Sequence, residues 1–86
     1  MNIPIARVTQ YYASQMVAVV DVLDQSLHVG DKIVVVAKSN TFRQTVEVMK
    51  QGISSVDQIL SGDTGVLLVQ EPVENGDVIY LDPQYE

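Results

Sequence analysis

Cysteine is absent from the sequence, which excludes disulfide frameworks, thiolate metal sites and cysteine nucleophiles together. Long apolar runs are missing too. The longest, residues 16–20 and 33–37, span five residues each, far short of the roughly 20 that a membrane helix needs. The opening stretch Met1-Asn2-Ile3-Pro4-Ile5-Ala6-Arg7 has no basic segment followed by an apolar one, so no secretory signal is expected and a cytoplasmic location is. Histidine occurs once, at His28. Nothing fits Gly-x-x-x-x-Gly-Lys-Ser/Thr, so no phosphate loop for GTP is expected.

Positive charge is scarce and lopsided. Five basic residues against eleven acidic ones give a net charge of −6 over 86 residues. Arg7, Lys32, Lys38, Arg43 and Lys50 all fall in the first fifty residues, where four acids leave +1; residues 51–86 carry seven acids and no Lys or Arg, hence −7. Binding a nucleic-acid backbone requires cations that replace condensed counterions, so this balance disfavours general duplex or RNA binding. The length suits one small domain, 1–86, with 47% hydrophobic and 19% charged residues in globular proportion.

What is present is valine in strand-like runs. Residues 3–9, 16–22, 32–37, 42–50, 64–70 and 78–82 are short, β-branched and closely linked. Branched side chains are stiff at their first torsion and suit a pleated surface. Six such runs predict an all-β domain, a small six-stranded closed or nearly closed barrel over about residues 3–82, because closure removes edges that valine-rich strands would otherwise pair between molecules. Gly30-Asp31, Gly62-Asp63 and Gly76-Asp77 each precede an apolar run. Glycine there supplies the positive φ of a tight turn and Asp a backbone hydrogen bond. One segment departs from alternation: Ile53, Val56, Ile59 and Leu60 fall at helical spacing, which predicts a short helical turn near residues 54–60, with Ser54 and Asp57 at its start and Gly62 as its stop.

The succession Leu27-His28-Val29-Gly30-Asp31-Lys32-Ile33, Thr41-Phe42-Arg43-Gln44-Thr45-Val46-Glu47-Val48-Met49, Ser61-Gly62-Asp63-Thr64-Gly65-Val66-Leu67-Leu68 and Gly76-Asp77-Val78-Ile79-Tyr80 resembles, in order and spacing, the second domain of translational GTPases of the elongation factor Tu type. The stretch Phe42-x-Gln44-x-Val46-x-x-Met49 is closer to two offshoots: stand-alone elongation-factor-like barrels and the C-terminal barrel of U32 peptidase-like proteins. The resemblance runs over about residues 3–82. It implies the barrel without the nucleotide-binding domain. In elongation factors that barrel helps to hold the aminoacyl end of transfer RNA.

Candidate chemistry is thin. His28 with Asp31 or Asp24 and a serine could in principle form a nucleophilic arrangement, but it sits in a turn, with no second histidine and no nucleophile-elbow sequence. Asp57 and Asp63 lack the alternating oxygen ligands of a calcium loop and read as cap and turn residues. No catalytic residue, cofactor or metal is expected. The segment Lys38-Ser39-Asn40-Thr41-Phe42-Arg43-Gln44 collects cations, an aromatic and amide or hydroxyl donors, a set able to stack a base and hold a phosphate. The resemblance places an apolar core residue at Phe42, which leaves Lys38, Asn40 and Arg43 as the contact candidates. Tyr11 and Tyr12 form a second exposed-aromatic candidate, while Tyr80, inside a strand, reads as wall or core.

The expected function is therefore a non-enzymatic binding module that docks a protein partner or a ribosome-associated factor. The alternative is a small RNA-binding accessory of translation or RNA modification, which requires the basic residues of 32–50 to gather on one face. Monomer and homodimer both remain open. Val34 and Val36 alternate with Ile33 and Val35, so one of these pairs is expected to point outward, covered either by the helical segment or by a second copy of the chain.

Overall fold

A computed structural model describes residues 3–83. Ten strands follow one another: β1 (Pro4–Tyr12), β2 (Val17–Val22), β3 (Leu27–His28), β4 (Lys32–Val36), β5 (Thr41–Thr45), β6 (Met49–Gln51), β7 (Ser54–Val56), β8 (Gln58–Ile59), β9 (Thr64–Leu68) and β10 (Val78–Leu81). Eight of them form one sheet in the order β5-β4-β10-β1-β2-β9-β6-β7, and β3 pairs with β8 in a second. Every pairing is antiparallel. The all-β expectation holds, and the six expected runs all carry strands.

Alternation decides which face goes in. Along β2, Ala18, Val20 and Val22 are buried, and along β4, Ile33 and Val35. They meet Ile5, Ala6 and Val8 of β1, Leu67 of β9 and Ile79 of β10 in one core. The two-stranded sheet adds Leu27 and Ile59, both fully buried, so it lies against that core. The long β1 shifts register twice, between Pro4 and Ala6 against β10 and between Val8 and Gln10 against β2. Such bulges bend a strand and raise its twist, as curling the sheet requires.

The sheet is an eight-stranded half-barrel, which corrects the closed six-stranded barrel read from the sequence. The run 42–50 divides because its alternation loses phase: Phe42, Gln44 and Val46 are buried, then Glu47 and Val48 are both exposed before Met49 is buried again. Its first part pairs with β4 at one end of the sheet and its second with β9 near the other. The gap between is spanned by a side chain. The Gln44 amide donates to Leu68 O (2.9 Å) and its Oε1 accepts from Gln70 N–H (2.9 Å). A carbonyl and the N–H two residues on face the same edge of a strand, so this one amide occupies the position of a neighbouring peptide group.

The helical turn expected over residues 54–60 is absent; the described residues contain no α-helix. Residues 49–56 are instead a hairpin, Gln51 opposite Ser54, with Gly52 and Ile53 at its tip. Gly52 has φ +63° and Ile53 does not have positive φ, the II′ pattern that wants glycine first. The apparent helical period combines a tip residue, the short strand β7, a bend at Asp57 and the short strand β8. Ile53 is fully exposed, Val56 is half-buried against the core and Ile59 lies within it. No helical cover lies over Val34 and Val36: Val34 is half-buried between its neighbours Tyr80 and Arg43, and Val36 is exposed.

The three Gly-Asp pairs do repeat one device. Asp31, Asp63 and Asp77 each donate their N–H to the carbonyl three residues back (3.1, 3.0 and 3.1 Å). Gly30, Gly62 and Gly76 all have φ between +87° and +97°, as the third position of a type II turn demands.

Candidate functional site

The residues singled out from the sequence do not converge. Lys38 sits in the tight link between β4 and β5, where Ala37 N–H donates to Asn40 O (2.8 Å). The Asn40 amide donates to Glu71, so one of its two N–H donors is used within the chain. Arg43 projects from β5 at the outer side of Val34, and its Nε lies 3.3 Å from Oδ2 of Asp82, a buried carboxylate. Lys32 Nζ donates to Thr45 Oγ1 nearby (2.8 Å). Lys32, Arg43, Gln44, Thr45 and Asp82 border a recess of about 210 Å³ in which acid and base already meet. Phe42 is buried. Tyr11 and Tyr12 lie on β1, two strands removed from β4, and separate from each other: Tyr11 packs against the core while Tyr12 faces out.

His28 is an exposed turn residue. Its backbone N–H donates to Asp31 Oδ2 (2.9 Å), and its ring Nδ1 stands 3.8 Å from the same oxygen. That carboxylate is thus engaged in shaping the turn. Asp57 and Asp63 serve through their carbonyls, which accept from Val29 N–H (2.8 Å) and Val22 N–H (2.9 Å). Among the described residues no group of His, Asp or Glu is arranged to hold a metal, and no helix is long and apolar enough to cross a membrane.

A different surface draws attention by being apolar. Directly opposed residues of antiparallel strands point to the same side. Tyr12, Val17 and Leu68 therefore form one outward row across β1, β2 and β9, and Gln10, Val19 and Val66 the next, with Lys50 of β6 beside Val66. Val48 extends the first row, its carbonyl accepting from Leu68 N–H (3.1 Å). Val17, Val48, Val66 and Leu68 wall a groove of about 450 Å³, in which Lys50 is the one charged residue. Tyr12, Met16, Val48 and Leu68 remain exposed around it. The strands dictate this arrangement: β2 and β9 are valine- and leucine-dense on both faces, so burying one alternate set strands the other outside.

Sequence reasoning named only Tyr12 and, as a candidate RNA contact, Lys50 among these residues. The remainder come from three strands distant in the chain, and no local pattern announces that their outward members adjoin.

No protein-family model and no curated protein matches the sequence. Solved structures do. A crystal structure of the C-terminal domain of a Geobacillus thermoleovorans U32 peptidase-like protein, in a selenomethionine variant, is similar over 91% of this chain and 98% of its own, with a TM-score of 0.83 and 15% identity. A second crystal structure of that domain matches over 90% of this chain and 89% of its own, with a TM-score of 0.82 and again 15% identity. At that identity the likeness is one of fold, and it falls on the U32-type barrel already named from the sequence.

Proposed function

We propose that this protein is a non-catalytic binding module that docks a polypeptide partner through the outer face of β2, β9 and β6. The observation that carries the reading is the apolar groove walled by Val17, Val48, Val66 and Leu68, with a single charge in a chain of net −6. A small acidic domain gains nothing in solubility from such a patch, whereas a protein interface wants an apolar centre free of acids. The resemblance to a domain of a larger peptidase supports an accessory role beside a catalytic polypeptide. The resemblance to elongation-factor barrels rests on the sequence alone, and on it a translation factor or ribosome-associated protein is the first class of partner to try.

The RNA alternative requires a shared basic face, and the cations are dispersed. Lys32 and Arg43 flank Asp82, Lys38 caps the β4–β5 link, Arg7 lies on β1 and Lys50 sits in the groove beyond β9. Their fields are local and partly cancelled by neighbouring acids, which argues for protein over nucleic acid.

Affinity capture from the native cell, with and without nuclease, tests the reading when wild type is compared with Leu68→Lys. Leu68 is exposed, so the variant keeps its core. The expected result is a polypeptide retained by wild type after nuclease and lost with Leu68→Lys. Equal capture by both proteins, or capture abolished by nuclease, overturns it.

A further inference from the structure

Ile53 contradicts its surroundings. It occupies the second position of a two-residue hairpin tip, where polar turn residues are favoured and a β-branched side chain is poorly suited. It is also fully exposed, 101% relative to an open reference, so it contributes nothing to the core. A residue that breaks a local rule without gain to the fold marks a place where something else is gained. The paired strands of the hairpin place it at the tip, and its neighbour Gly52 borders the groove. One chain therefore carries a protruding apolar knob and an apolar groove side by side.

We infer that the occupant of this groove is a second copy of the chain, paired about a two-fold axis so that each Ile53 enters the other's groove. The inference rests on the docking reading above and names the partner. A knob and socket on one surface can satisfy each other in a closed, isologous pair, in which the contact made one way is repeated in reverse. Charge agrees. Lys50 stands in the groove wall and Glu47 is the chain neighbour of Val48 in that wall; both are exposed and opposite in sign, and neither is in an ion pair among the described residues. Across a two-fold axis Lys50 of each copy faces Glu47 of the other. The groove walls contain no acid, so two chains of net −6 can meet there without opposing carboxylates.

Sedimentation equilibrium from 1 to 200 µM, on the order of typical weak-dimer affinities, tests this on the full chain. Wild type is expected to dimerise. Ile53→Asp, at an exposed tip and so neutral to folding, is expected to weaken association by roughly 30-fold, the size of a central interface residue. Lys50→Glu and Glu47→Lys should each weaken it, and the double variant should recover it, a rescue that a merely structural role would not produce. A wild-type monomer throughout the range, a dimer indifferent to Ile53→Asp, or a double variant no better than the singles overturns the inference. If the chain is monomeric yet Leu68→Lys still abolishes partner capture, the docking reading survives and the self-pairing does not.

Discussion

Gly65 lies in β9 at a point where a side chain has no room. A Cβ there would collide with the Ile59 side chain and come within 3.1 Å of Lys50 O. Its φ is ordinary, so the requirement is space rather than torsion. Gly65→Ala must push Ile59 out of the core or displace β6, and is expected to cost ~1–3 kcal/mol, read as a lower midpoint in urea. The Gly-Asp turns offer a second comparison, since identical motifs bear unequal loads. Asp77 is buried, and its carboxylate accepts from Glu74 N–H (2.7 Å) and Lys38 N–H (3.1 Å), tying its turn to the β4–β5 link. Asp31 makes the corresponding bond to His28 N–H in an exposed turn. Asp77→Ala leaves two sheltered donors unmet and is expected to cost about 2 kcal/mol, against a few tenths for Asp31→Ala, where water substitutes. Paired thermal melts check it, at roughly 4–8 °C per kcal/mol for a chain of this size.

Among the elements, the seam between β5 and the end of β9 is where a side chain replaces a ladder. Gln44→Ala removes both the donor for Leu68 O and the acceptor for Gln70 N–H. The expected loss is about 2 kcal/mol, accompanied by faster hydrogen exchange at the Gln70 amide than at Val19 or Val35 in the ladders. Gln44→Glu should behave nearly as badly, because a carboxylate keeps the acceptor but sets negative charge against the Leu68 carbonyl. This scale also explains what the sequence did and did not disclose. Valine alternation in residues 16–22 and 32–37 is long enough to declare strands, and the Gly-Asp pairs mark their entries. Strands of two or three residues, such as Leu27–His28 and Gln58–Ile59, are too short to establish a period. In residues 53–60 the period was misleading, since a tip and two short strands imitate i, i+3, i+6 spacing. Gln44 alternates in phase with Phe42 and Val46, which marks it as inward, but an amide in a strand is ordinarily solvent-facing and nothing local announces the carbonyl and N–H that it bridges. The groove was illegible for a related reason: alternation separates two faces but does not tell which outward residues of different strands adjoin. Only Ile53 after Gly52 could have been noticed, as an apolar residue in a turn.

For the whole molecule, the pairing of β1 with β10 brings Ala6 opposite Ile79 and Pro4 opposite Tyr80. The first and last strands are thus neighbours in the middle of the sheet, one ladder spacing of about 4.8 Å apart, and they run in opposite directions. The chain enters and leaves the sheet at the same end. Such a layout is indifferent to where the polypeptide is cut, provided the cut falls in an exposed link and the old ends are joined. A circular permutant with a short Gly-Ser bridge between the ends of β10 and β1, opened at the exposed Ser14 between β1 and β2, is expected to fold with a melting temperature close to that of the linear chain. A permutant that fails to fold would mean that the central β1–β10 pairing depends on free ends. Seen this way, the half-barrel is a cassette. It could be threaded into a loop of another protein, or hung from either terminus, with its apolar groove facing outward in every case.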